Sequence, residues 1–229
     1  SLLKPEEVTT LFHEMGHVLQ HICSNVVDMS HSGINGIEWD AVEWSSQFLQ
    51  EFGLEDEVLK TYAVHYKTGE VIPDELLEKR KNIETYRSAS ALVRQLKFGM
   101  FDMRVHQAPM TKEEVQETMD DVREQLGINE PEWDKFQCNF AHIFSGGYSA
   151  GYYSYKWAEV LSADCYMLFK ENGIFNKELA DKYFNTFLSQ GSKESSMDMF
   201  ENFMGRKPNE EALLKMLGIL DSEPHSEKS

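Results

Sequence analysis

Apolar residues recur at helical spacing near the start of this chain. Val8, Leu11, Phe12, Met15, Val18, Leu19 and Ile22 form a stripe of the kind an amphipathic helix carries. Lys4-Pro5-Glu6-Glu7 precedes it as a start signal, since proline suits a first turn and acidic side chains favour the positive end of the helix dipole. The pattern predicts a helix from about Pro5 to Asn25. A turn-rich stretch from Asp28 to Gly36 separates it from a second helical run, Trp39 to Phe48. Helices are predicted next over Glu55 to Tyr66 and from Asp74, a suitable N-cap, to about Lys81, with a turn at Lys67-Thr68-Gly69 between them. A long helix is predicted from about Ile83 to Val105, with Tyr86, Ala89, Leu92, Leu96, Met100 and Met103 recurring along it. Thr111-Lys112-Glu113-Glu114 is a capping-box start for a helix to about Leu126, stopped by Gly127 and Pro131. Further helices are predicted at Tyr152–Glu171, Lys177–Gln190, Met197–Met204 and Asn209–Leu217. No alternating strand pattern occurs, so the expected class is all-α, with residues 1–220 as one helical domain and 221–229 as a disordered polar tail.

Composition narrows the function classes. The 229 residues carry a net charge of −17, and no basic patch offers a phosphate backbone anything to bind, so nucleic acid is excluded as a partner. No apolar run reaches the length of a membrane span. Cys23, Cys138 and Cys165 are too few and too scattered for a disulfide framework or a metal site, which favours a reducing, cytoplasmic setting. Ser1-Leu2-Leu3 leads almost directly into the first helix without an initiator methionine, as a fragment or a processed form would.

The first helix also holds the sharpest chemical signal. His13-Glu14-Met15-Gly16-His17 is an HExxH sequence. Residues four apart lie on one helix face, so His13 and His17 can point both imidazoles at one Zn2+ ion, and Glu14 lies beside the metal, placed to take a proton from a bound water. A third ligand is needed. Gln20 stands where a second glycine would be required for the pattern with a third histidine further along, and His21 is turned away from the line joining His13 and His17. Glu43, on the second predicted helix, would complete a His₂Glu set of the catalytic kind. Asp40 is one turn earlier on the same face. It either accepts the other N–H of a ligand histidine or serves as a helix-start residue.

A second cluster runs from Phe140 to Tyr155. His142 is followed by Gly146-Gly147-Tyr148, then Gly151-Tyr152-Tyr153-Ser154-Tyr155. Composition alone favours aromatic packing at a helix start. The chemical alternative is a flexible loop whose tyrosine hydroxyls face an oxyanion. His31, His65, His106 and His225 have no partners at ligand spacing, and Trp39, Trp44, Trp133 and Trp157 read as packing residues.

HEMGHVLQH followed by SGINGIEWDAVEWSSQF resembles the thimet oligopeptidase family of zinc metallopeptidases, most closely its bacterial oligopeptidase A branch. The resemblance extends through H-x-x-x-G-G-Y-x-x-x-Y-Y-x-Y and covers nearly the whole chain. It implies a zincin-type catalytic domain with zinc on His13, His17 and Glu43 and with Glu14 as base. It also implies that His142 and Tyr148 act on substrate, that Tyr155 stabilises the oxyanion, and that Tyr152, Gly146, Gly147 and Gly151 line the peptide site. Family members carry a long N-terminal portion, the other wall of a channel that admits only short, unfolded oligopeptides, and that portion is not in this sequence. The expected activity is therefore an oligopeptide endopeptidase. A dipeptidyl carboxypeptidase of the same family is one alternative. A zinc- and peptide-binding fragment that needs its N-terminal half for turnover is the other.

Overall fold

Pro5 opens α1 (Pro5–Ile22) with the Lys4 N–H donated to Glu7 Oε2 at 2.7 Å, so a first-turn acid closes the helix end. The computed structural model describes residues 2–220, without the side chains of Asn82 and Glu84; the predicted tail at 221–229 lies outside the described residues. The remaining helices are α2 (Trp44–Gly53), α3 (Asp56–Tyr62), α4 (Asp74–Glu84), α5 (Ser88–Val105), α6 (Lys112–Gln125), α7 (Ala141–Phe144), α8 (Ser154–Asn172), α9 (Lys177–Tyr183), α10 (Ser196–Met204) and α11 (Glu211–Met216). A 3₁₀ turn at Phe136–Asn139 and a π turn at Phe184–Leu188 complete the regular structure. Among the described residues no strand forms, and Val64 and Val71 make only an isolated antiparallel bridge.

The chain folds as two compact units. One comprises the described residues of Ser1–Tyr86 and Trp157–Ser229, and the other is Arg87–Lys156. The first is built on aromatic residues. Trp44 is fully buried and stacks on Phe187 with ring centroids 3.8 Å apart, and Phe48 stacks on Tyr183 at 4.2 Å. Phe200 and Phe203 close this core from α10. The second unit centres on Phe98 and Phe101 of α5, Met119 of α6, Phe140 and Ile143. Its buried cations are paired: Lys97 lies 2.5 Å from Glu130, which also accepts from Arg123 at 2.7 Å, as charges out of water require. Trp44 packs as expected, whereas Trp133 is 82% exposed.

Several predicted boundaries shift. α1 stops at Ile22, because the Asn25 N–H is drawn off to the Ser189 carbonyl at 2.8 Å. The helix predicted from Trp39 begins only at Trp44. Glu38 to Glu43 forms successive turns (Ala41 N–H to Glu38 O, Trp44 N–H to Ala41 O), and the Glu38 carboxylate is bonded to the start of α10 through Ser196. The long helix predicted through Ile83 breaks at Arg87, which adopts a left-handed φ of 59°. The apolar stripe on α1 forms, but only part of it packs: Val8, Phe12 and Leu19 are partly buried, Leu11, Met15, Val18 and Ile22 face outward at 44–71% exposure, and Gly16 and Gln20 are the buried positions. On α5 the inward face is likewise Phe98, Phe101 and Asp102, and Leu96 and Met103 are exposed.

Phe200→Ala removes a fully buried ring from the first core and leaves a cavity there. We expect a loss of about 3–5 kcal/mol, read as a lowered urea midpoint at unchanged slope.

Candidate metal centre

His13 and His17 lie one turn apart on α1, with ring centroids 5.2 Å apart and nearly perpendicular planes. Glu43 reaches both. Its Oε2 is 3.2 Å from His13 Nε2 and 3.2 Å from His17 Nε2. Among the described residues these three form the one group able to hold a metal ion, with their ligand atoms within 4.8 Å of one another. Zinc bonds of about 2.0–2.2 Å at tetrahedral angles would separate ligand atoms by about 3.3 Å, so the spacing fits.

Local structure explains the meeting. α1 crosses α2 at Gly16, where Ser45 Oγ donates to the Gly16 carbonyl at 3.1 Å. A Cβ at Gly16 would sit 2.5 Å from Ser46 Cα and 2.6 Å from the Ser45 carbonyl oxygen. Only glycine allows that approach. Glu43 is the N-cap residue of α2, so its carboxylate lies at the positive end of that helix, and Ser46 Oγ donates to it at 2.9 Å.

The proton count at the site favours a cation. Gln50 Oε1 lies 3.1 Å from His13 Nδ1 and accepts its N–H. The neutral ring then presents the Nε2 lone pair to Glu43 Oε2, which also offers only lone pairs. A positive charge between them, proton or metal ion, resolves that clash. The titration behaviour reflects it. Hydrogen bonding to Glu43 raises His13 above its ordinary value, against a lowering by burial, and Gln50 adds to the rise. Burial pushes the Glu43 carboxyl up, yet hydrogen bonds from His13, His17 and Ser46 outweigh it and hold the group well below the usual carboxylate range. His17 Nδ1 is buried, and among the described residues no protein group bonds it.

Glu14 lies between the two histidines in sequence and is exposed. Asp40 is half-buried in the turns before Glu43. The acceptor bonded to His13 is Gln50, which the sequence reading missed. Its signal was its place seven residues after Glu43, two turns along on the same helix face. His21 is outside the ligand group and packs against Gly33.

In the second unit His142, Tyr148, Tyr152 and Tyr155 form one aromatic group. Tyr148 stacks on Tyr155 at 4.8 Å, Tyr152 lies 5.4 Å from Tyr155, and the His142 ring is 6.3 Å from Tyr148 and 6.0 Å from Tyr152. The glycines before it serve a tight turn. A Cβ on Gly146 would meet His142 Cα at 2.8 Å, Gly147 has a φ of 85°, and the Tyr148 N–H returns to the His142 carbonyl at 3.0 Å. The left-handed residue further on is Ala150 (φ 54°) rather than Gly151, and α8 starts at Ser154, which leaves Tyr152 in the loop.

Over residues 1–219 the chain matches Peptidase family M3. The chain belongs to this family. It is 43% identical over 222 residues to oligopeptidase A of Salmonella typhimurium and 43% identical over 222 residues to oligopeptidase A of Escherichia coli, in each case covering 96% of this chain and 33% of the relative. To the dipeptidyl carboxypeptidase of Escherichia coli it is 31% identical over 225 residues, again 96% of this chain and 33% of that protein. The chain thus spans about a third of the length of the curated relatives it matches.

Two substitutions probe the centre. Gly16→Ala should force α1 and α2 apart, costing about 1–3 kcal/mol and weakening zinc binding in a chelator competition. Gln50→Leu should keep the fold, because Leu fills similar space, but lower zinc affinity about 10–100-fold. The two are separated by comparing thermal melts with the competition titration.

Proposed function

We propose that this chain is the catalytic portion of a zinc-dependent metalloendopeptidase acting on short, unfolded oligopeptides. The observation that carries the reading is the meeting of His13, His17 and Glu43 in a member of a peptidase family, with Glu14 next to the first ligand. Held by these three residues, a zinc ion would supply a Lewis acid that polarises both water and the scissile carbonyl. Glu14 takes the proton of the attacking water and hands it to the leaving amine. Its exposure suits a group that must meet solvent and substrate in turn. In this reading Asp40, in the turns before Glu43, orients the ligand side of the centre.

The tyrosine group is assigned to the substrate. Tyr155 donates to the oxygen that becomes negative as the carbonyl is attacked, with Tyr148 and His142 assisting. Tyr152 and the Gly146, Gly147 and Gly151 segment hold the peptide chain. Selection for short peptides is assigned to the N-terminal part of the relatives' architecture, which this chain does not span, and the exposed apolar face of α1 supports the existence of such a neighbour. A cytoplasmic setting is supported by three free cysteines, and among the described residues no helix is long and apolar enough to cross a membrane.

The endopeptidase form is favoured over a dipeptidyl carboxypeptidase by the higher identity to oligopeptidase A. Cleavage of one peptide with a free and with an amidated C-terminus distinguishes them, since strict release of C-terminal dipeptides requires the free carboxylate. The central test is Glu14→Gln in zinc-loaded protein, with a quenched peptide of about ten residues. We expect hydrolysis to fall by at least about 10²–10⁴-fold at unchanged zinc stoichiometry. Activity retained in the variant would refute the assignment. Cleavage absent in both, with zinc bound, would mean that turnover needs the relatives' N-terminal part.

A further inference from the structure

The second unit buries one carboxylate that the chemistry above does not use. Asp102 of α5 is 0% exposed. Its Oδ1 accepts the Ala150 N–H at 2.9 Å and its Oδ2 accepts the Tyr152 N–H at 2.8 Å. His106, one turn further along α5, places Nδ1 2.8 Å from Asp102 Oδ1. Its ring packs on Phe144, at the end of α7, with centroids 5.8 Å apart.

Both amides belong to the loop that carries the tyrosines. Ala150 has a left-handed φ of 54°, a conformation that a non-glycine residue keeps only where its surroundings impose it. The bond to Asp102 is such an imposition. Tyr152 is fixed a second time at its far end, where its hydroxyl donates to Gln95 Oε1 at 3.0 Å. Its ring is fixed between them against Phe98 at 5.7 Å and Phe140 at 5.0 Å. Gln95, Phe98, Asp102 and His106 are spaced three and four apart and share one face of α5. That face is a mount for the loop. The glycine turn at 146–147 is exposed, and its bonds are local, from the Gly146 N–H to the Ala141 carbonyl at 2.7 Å and from the Tyr148 N–H to the His142 carbonyl at 3.0 Å.

We infer that Asp102, supported by His106, is a positioning residue: it holds the loop backbone at Ala150 and Tyr152 so that Tyr148, Tyr152 and Tyr155 keep their mutual packing. Its consequence for turnover rests on the peptidase reading above; its consequence for loop order does not. The Ala150–Tyr152 part is tied to α5, whereas the exposed Gly146–Gly147 turn is tied back to α7.

Amide hydrogen exchange followed by NMR in the 229-residue protein tests the anchor without reference to activity. Ala150 is an exposed residue, and its amide would exchange quickly without the buried acceptor. We expect Ala150 and Tyr152 to exchange at least about 100-fold more slowly than Gly147, and Asp102→Asn, which is isosteric, to remove most of that protection while amides of Phe101 and Met119 stay slow. Fast exchange at Ala150 and Tyr152 in the unsubstituted protein overturns the inference, as does unchanged protection in Asp102→Asn. Should the variant not fold, the pattern in the unsubstituted protein decides. In the cleavage assay, Asp102→Asn should lower kcat about 10–100-fold with KM and zinc content nearly unchanged. Combined with Tyr155→Phe it should cost little more than Tyr155→Phe alone. Fully additive losses would refute action through the tyrosines. If the exchange pattern holds but the unsubstituted protein cleaves no peptide, the anchor stands and the peptidase reading fails.

Discussion

The candidate metal centre depends on how closely α1 passes α2. The Gly16 carbonyl accepts from Ser45 Oγ, and a single added carbon at Gly16 would strike the backbone of Ser46. Backbone in contact with backbone leaves no adjustable side chain between the helices. The distance from the histidines on α1 to Glu43 at the head of α2 is therefore set by covalent geometry rather than by packing that could relax. Trp44, next to Glu43, stacks on Phe187 and packs beside Phe200 in the core, so the acid is tied to the most buried part of its unit. A ligand set held this way is preorganised, and little ordering remains to be done when an ion arrives.

Two buried acids, Glu43 and Asp102, meet the same physical problem in different ways. Each is taken out of water and must be compensated by donors. Glu43 draws its compensation from two histidines, a serine hydroxyl and the head of a helix, and it leaves its charge directed at a point where a cation fits. Asp102 has both carboxylate oxygens occupied by loop amides, with the His106 ring 2.8 Å from one of them and bonded to the Asp102 carbonyl at 2.9 Å, so its charge is consumed in holding the chain. The first acid points its charge into the candidate metal centre, and the second fixes the shape of a neighbouring segment.

Much of this was legible in the sequence because the relevant signals are local. HExxH spacing, the proline and acids ahead of α1, and the capping box at Thr111 each act within a turn or two of their own position. The all-α class followed from the same periodicity. What was not legible depends on distant partners. Nothing near Ile22 announces that the Asn25 amide goes to Ser189, and nothing near Trp39 announces that Glu38 is committed to Ser196. The break at Arg87 carries neither glycine nor proline to mark it. Periodicity located the apolar stripes on α1 and α5 but not the direction they face, because a stripe records that something apolar is expected alongside and not whether this chain provides it. Gln50 and Asp102 were missed for a related reason: a polar residue on a helix looks like surface until its acceptor geometry is known.

The outward stripe of Leu11, Met15, Val18 and Ile22 has a consequence for how the chain behaves in solution. A protein of net charge −17 repels its copies at long range, and that repulsion extends about 30 Å at 0.01 M salt but only about 8 Å at physiological ionic strength. The apolar row acts at contact and is not screened by salt. Raising ionic strength therefore strips away the repulsion while leaving the adhesive row intact, so the colloidal stability of this chain is an electrolyte-dependent property. Dilute buffer keeps its copies apart, and salt brings their α1 helices within reach of one another.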